Sequence, residues 1–329
     1  MELAVELEGL RKTFTVTRGK GLSRTRTEVV AVDGVSFTVP SGQSVALIGP
    51  NGAGKSTTIK MLTGILNPTS GEARVLGLVP WKQRSRLAYH LGAVFGQRSQ
   101  LWYHLPPGDT FDLLARIYEL DRADYARRRD MLIERFGLGA FLNTQVRKLS
   151  LGQRMRAEIA ASLLHKPSVL FLDEPTIGLD VVARQELRDL IRQWNREEGL
   201  TVFLTSHDAG DIESVARRVI VVNHGRVVLD DKVSTVRRRY LGSKVLSVKF
   251  HERPATVELA GVSVVKTSDY ALKLEVDTRI APIELVINKV LEAGAVADIT
   301  IEDPPLEEII AHIYAAGAAG SAAEEVRTA

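Results

Sequence analysis

Gly49-Pro50-Asn51-Gly52-Ala53-Gly54-Lys55-Ser56 is a complete GxxxxGK(S/T) run, and its flanks decide how it folds. Residues 43–48 before it are apolar and of strand length, while residues 55–66 after it carry amphipathic helical spacing. The glycines let the backbone curl until successive N–H groups point inward, where phosphate oxygens can accept them. The helix start adds its partial positive charge. From this position Lys55 reaches β- and γ-phosphates and the Ser56 hydroxyl can ligate Mg²⁺, with Thr57 next in the helix. The stretch reads as a P-loop opening an α/β domain.

Outward from it, residues 168–172, 201–205 and 219–222 are further apolar runs of strand length, and residues 183–197 are amphipathic. Apolar strands alternating with helices predict a mostly parallel sheet covered on both faces. Asn223-His224-Gly225 breaks two strand-like runs as a hairpin turn would. From about residue 98 to 165 the pattern turns helical, with Pro106-Pro107-Gly108 as a loop and residues 110–120 and 123–136 as helices. Residues 18–26 form a polar, basic loop between two strand-like segments. Beyond Tyr240 the runs shorten: strands at 244–250, 271–276 and 297–301, helices at 282–293 and 306–315. The expected domains are therefore 1–240, with a helical subdomain at about 98–165, a small α+β domain at 241–315, and a flexible tail at 316–329.

Composition agrees with two domains. The chain has 329 residues, 45% hydrophobic and 25% charged, which excludes disordered and fibrous classes. It has 0 Cys, which excludes disulfide scaffolds, thiolate metal sites and cysteine nucleophiles, and suits a cytosolic protein. No run approaches the roughly 18 apolar residues that span a bilayer, and the acidic start does not read as a secretory signal. The net charge of +3 divides unevenly, because residues 241–329 hold 8 Lys/Arg against 14 Asp/Glu. The larger domain is thus basic and suited to anionic ligands.

Two more runs carry chemistry. Val169-Leu170-Phe171-Leu172-Asp173-Glu174-Pro175 is a buried-strand pattern ending in paired carboxylates. Such a strand delivers Asp173 at its C-terminal edge, beside the P-loop, to hold Mg²⁺, and Glu174 toward the γ-phosphate as general base. Leu149-Ser150-Leu151-Gly152-Gln153 precedes helical residues 154–165, so the Ser150 hydroxyl and Gly152 N–H sit at a helix N-terminus suited to anions.

In this combination the sequence resembles the nucleotide-binding subunit of ATP-binding-cassette (ABC) transporters over roughly residues 3–240. Residues 49–57 look like the family's Walker A, 149–153 like its LSGGQ signature, and 169–175 like its Walker B with the catalytic Glu174. Gln97 resembles the Q-loop residue, Gly178-Leu179-Asp180 the D-loop, His207 the switch histidine, and Phe14 the aromatic that stacks on adenine. The resemblance implies that Gly49, Pro50, Asn51, Gly52, Ala53, Gly54, Lys55, Ser56 and Thr57 hold the phosphates of ATP. Ser56, Gln97 and Asp173 would complete the Mg²⁺ shell; Glu174, His207 and Gln97 would carry the chemistry. Ser150, Gly152, Gln153 and Asp180 would meet the ATP of a partner subunit in a head-to-tail dimer, either a second copy or a paired cassette. Leu151 stands where the family has Gly, with the adjoining Ser150 and Gly152 kept.

Residues 96–106 and the ending around Pro304-Pro305 look like bacterial cassettes paired with ABC-2-type membrane permease subunits, many of them exporters of drugs or other small hydrophobic compounds. Such a subunit would sit at the cytoplasmic face of the membrane. Trp102, Tyr103 and Leu105 are then candidates to grip a membrane subunit's coupling helix, or else to fill the helical subdomain's own core. The alternative reading is a soluble ABC ATPase acting on nucleic acid, the ribosome or another complex, with Arg127-Arg128-Arg129 and Arg237-Arg238-Arg239 as its footprint. The exporter reading expects no nucleic acid partner.

Overall fold

The computed structural model describes residues 2–18, 25–96, 99–206, 208–239, 243–304, 306, 308–310 and 313. The chain divides into two units, residues 1–231 and 232–329. The first contains β1 (Leu3–Arg18), β2 (Thr25–Pro40), β3 (Ser44–Ile48), α1 (Lys55–Leu62), β4 (Ser70–Val75), α2 (Arg84–Ala88) and β5 (Leu91–Phe95). It continues with α3 (Pro107–Ile117), α4 (Arg122–Arg135), α5 (Leu151–Leu163), β6 (Val169–Asp173), α6 (Val181–Glu198), β7 (Thr201–Thr205), α7 (Ala209–Val215) and β8 (Arg218–Asn223). β9 (Arg226–Lys232) ends at the division.

Six strands form the central sheet in the order β5-β6-β7-β3-β8-β9. The pairs β5/β6, β6/β7, β7/β3 and β3/β8 are parallel. Every residue of β3 and β7 is buried, which is why these strands read as continuous apolar runs rather than alternating ones. His224 and Gly225 carry φ of 46° and 77°, the positive pair that a tight hairpin between β8 and β9 requires. Two apolar clusters line the sheet, one around Phe171, Phe203, Ile59 and Leu62, the other around Phe136, Trp194, Leu170 and Leu172. Each such side chain stabilises the fold by about 1.5–3 kcal/mol relative to leaving it in water.

A second sheet was not apparent from periodicity. β2, β1 and β4 pair antiparallel, and this three-stranded sheet shares its core with the central one through Val5, Leu7, Val35 and Phe37. The helical part between residues 98 and 165 contains α3, α4 and α5. Its triple arginine is not a free basic patch, since Arg127 pairs with Asp124, Arg128 with Glu198 and Arg129 with Asp130.

The second unit contains α8 (Val233–Arg239), β10 (Ser243–Phe250), β11 (Val262–Ser268), β12 (Ala271–Asp277), α9 (Ile283–Ala293) and β13 (Val296–Glu302). Its four antiparallel strands, ordered β11-β12-β10-β13, bury Leu246, Val248, Leu272 and Leu274 with Val286 and Val290 of α9. β11 leaves no periodic signal in the sequence, because most of it is exposed and it lacks alternation. The tail at 316–329 lies outside the described residues.

Candidate functional site

Parallel order brings the chemistry together. β7 lies between β6 and β3, so the ends of these strands deliver Asp173, Thr205 and the P-loop to one edge. At the P-loop, Gly54 has φ of 99°, and a Cβ there would stand 2.3 Å from the Ala31 carbonyl oxygen of β2. Only glycine meets both constraints. The same strand fixes Phe14, which pairs with Val29 two residues before Ala31. Phe14 is 37% exposed, and the Lys12 ammonium stands 5.2 Å from its ring centroid. Phe14 is thus a partly exposed aromatic on the strand pair that touches the P-loop.

Lys55 opens α1 and is buried. Its Nζ donates to the Gly49 and Pro50 carbonyls at 2.7 and 3.2 Å. Burial pulls its pKa below the usual lysine value, while the Glu174 and Asp173 carboxylates push it back up. The ammonium is thus poised among carbonyls and acids that an incoming phosphate can outbid.

Asp173 Oδ1 accepts from the Ser56 hydroxyl at 3.0 Å and from the Thr205 hydroxyl at 2.6 Å. One carboxylate beside one hydroxyl, with remaining positions left to phosphate and water, is the donor set Mg²⁺ prefers. Among the described residues no group of three or more His, Asp or Glu forms an alternative metal site. Glu174 takes a left-handed φ of 53°, uncommon outside glycine, and its N–H bonds both the carbonyl and the hydroxyl of Thr205, each at 3.1 Å. The sequence reading passed over Thr205. Its only signal was position at the end of a strand-like run.

Gln97 and His207 lie outside the described residues. Their neighbours border the site: the Gly96 N–H donates to the Asp173 carbonyl at 2.9 Å, and Ser206 follows Thr205. Ser150 caps α5 in a reciprocal box with Gln153, whose N–H it accepts at 3.2 Å and whose side chain it answers at 3.0 Å. Asp180 caps α6, accepting from the Ala183 N–H at 2.8 Å. Ser150, Gly152 and Gln153 make no hydrogen bond to the Lys55–Ser56–Asp173 cluster among the described residues. Instead Gly152 and Leu151 abut the start of α6: a Cβ on Gly152 would meet Ala183, and one on Gly178 would meet Leu151 Cδ2 at 2.9 Å. Trp102 and Tyr103 are 41% and 56% exposed, so neither fills the helical subdomain's core.

Residues 32–177 match the family model described as ABC transporter. The chain is 35% identical to the daunorubicin/doxorubicin resistance ATP-binding protein of Streptomyces peucetius, over 83% of this chain and 81% of that one. It is 29% identical to the linearmycin resistance ATP-binding protein of Bacillus subtilis (strain 168), over 86% and 93% respectively. A solved ATP-binding cassette, dimeric in a post-hydrolysis state with ADP and Pi, superposes with a TM-score of 0.60 at 25% identity, covering 70% of this chain and 98% of that one.

Proposed function

The chain belongs to the ABC transporter family of ATP-binding subunits, and on that premise we propose that it is the ATP-driven motor of an ABC-2-type exporter of drugs or other small hydrophobic compounds. It is an ATP-binding ATPase. The observation that carries the reading is the meeting of Ser56, Asp173 and Thr205 at the strand edge beside the P-loop. Its direction of transport is supported by the two resistance proteins to which it is similar.

In this reading Lys55 leaves the Gly49 and Pro50 carbonyls for the β- and γ-phosphates, joined by the loop N–H groups. Phe14 stacks on adenine. Ser56 and Asp173, with Gln97, would hold Mg²⁺, and that ion would supply neutralisation of charge on the phosphates. Glu174 accepts a proton from the attacking water as its oxygen bonds the γ-phosphorus and the bridging oxygen leaves with ADP. His207 contacts the γ-phosphate. Ser150, Gly152, Gln153 and Asp180 reach the ATP of a partner subunit, so ATP closes a head-to-tail dimer and hydrolysis opens it.

No described helix is long and apolar enough to cross a membrane. Membrane subunits would therefore hold the chain at the cytoplasmic face, and exposed Trp102, Tyr103 and Leu105 offer an apolar grip for them. The test is affinity purification of the tagged full chain from detergent-solubilised membranes, followed by mass spectrometry. A near-stoichiometric polytopic partner is the expected result. Recovery of ribosomes or nucleic acid in its place would overturn the transporter reading while leaving the ATPase intact.

A further inference from the structure

Behind the nucleotide edge lies a polar network that the ATP chemistry does not use. Asp211, in α7, is fully buried. One carboxylate oxygen accepts from the Ser206 hydroxyl at 2.6 Å and from the Thr176 hydroxyl; the other accepts from Arg188 Nε at 2.7 Å. Arg188, on α6, also gives Nη2 to Asp208 at 2.8 Å. Arg184, one turn earlier, bridges the other Asp208 oxygen at 2.6 Å and the Leu179 carbonyl at 3.2 Å.

The members come from the two segments that leave the site and from the helix packed behind them. Thr176 and Leu179 follow Glu174; Ser206 and Asp208 follow Thr205. Buried ion pairs of this kind add little to stability over apolar packing, because desolvation offsets their attraction. Their consequence is geometric. Two forked guanidinium groups on two carboxylates leave little freedom for one segment to shift without the other.

We propose that Arg188 and Asp211 are positioning residues, a buried clamp that makes the segment after Glu174 and the segment after Thr205 move as one body during ATP turnover. The proposal rests on the ATP-site reading above. It places the coupling inside each subunit, on two residues that themselves touch no nucleotide. Loss of the clamp therefore slows the chemical cycle without weakening ATP binding.

Two variants of the full chain test it. Asp211→Asn keeps shape and removes the charge that holds Arg188. Gly210→Ala keeps every charge but sets a Cβ 2.8 Å from Arg188 Nη2, displacing the guanidinium. Each is measured for ATP Kd with a fluorescent nucleotide, for kcat by phosphate release, and for thermal melting, beside Glu174→Gln. Both clamp variants should bind ATP within about twofold of wild type while kcat falls on the order of tenfold. Wild-type kcat in both, with Glu174→Gln inactive, would overturn the clamp alone. Loss of kcat only in step with ATP binding and melting temperature would reduce it to ordinary structure. Normal hydrolysis by Glu174→Gln would overturn the site reading and the clamp with it.

Discussion

Thr205→Val is the sharpest test of the site geometry. The hydroxyl donates to Asp173 Oδ1 at 2.6 Å and accepts the Glu174 N–H at 3.1 Å. Valine has the same shape and lacks both functions. The substitution orphans nothing: Asp173 Oδ1 keeps the Ser56 hydroxyl at 3.0 Å, and the Glu174 N–H keeps the Thr205 carbonyl at 3.1 Å. What is lost is one charge-assisted hydrogen bond, a stabilisation of about 1.5–3 kcal/mol, together with one of the two acceptors shared by the Glu174 N–H. Urea unfolding should register a loss of that order. Asp173 and Glu174 then lose the group that fixes them together, and each 1.4 kcal/mol of lost alignment lowers kcat roughly tenfold. In the proposed site affinity for ATP rests on Lys55 and the loop amides, so Kd should stay within about threefold. Thr205→Ser restores the hydroxyl and should recover most of the rate. A valine variant with wild-type kcat, or a serine variant as impaired as valine, would refute the assignment of Thr205 as the group that orients the Asp173 carboxylate and the Glu174 backbone.

Three further outcomes follow from the structure. Burial lowers the pKa of His165 to about 4 from 6.5, where its ring stacks on Tyr118 with centroids 4.0 Å apart. Above pH 6.5 the ring is neutral folded or unfolded; between there and about 4 only the unfolded chain takes up the proton. Stability should therefore fall with pH across that window, by roughly 3 kcal/mol in all, and His165→Phe should flatten the urea-derived profile; an unchanged slope refutes the cause. Gly54→Ala forces a Cβ to within 2.3 Å of the Ala31 carbonyl at a φ of 99°, so fluorescent-nucleotide binding should be abolished, and normal binding would show that the loop yields. On the proposed exporter reading, Trp102→Ala should lower transport several-fold while sparing basal ATPase, and equal loss of both would remove Trp102 from the proposed membrane-subunit surface.

Sequence by itself determined what depends on neighbours along the chain. The glycine spacing of the P-loop, the carboxylate pair ending an apolar strand, and Ser150 at the start of a helix each involve residues a few positions apart, where backbone geometry leaves little choice. The parallel sheet was legible for the same reason, since strands buried on both faces must be apolar throughout. Two strand-like segments flanking residues 18–26 were legible, but their pairing with each other and with β4 was hidden, because these strands mix buried Val5 and Val35 with exposed Phe14, Val16 and Val29. Tertiary structure alone decided which strands became neighbours. Placing β7 between β6 and β3 turned an unremarked threonine into the partner of Asp173, 32 positions away. Packing α6 against α7 likewise joined Arg188 to Asp211 across 23 positions. Such pairs leave no local pattern, because a hydrogen bond depends on distance in space, and only the folded sheet order sets that distance.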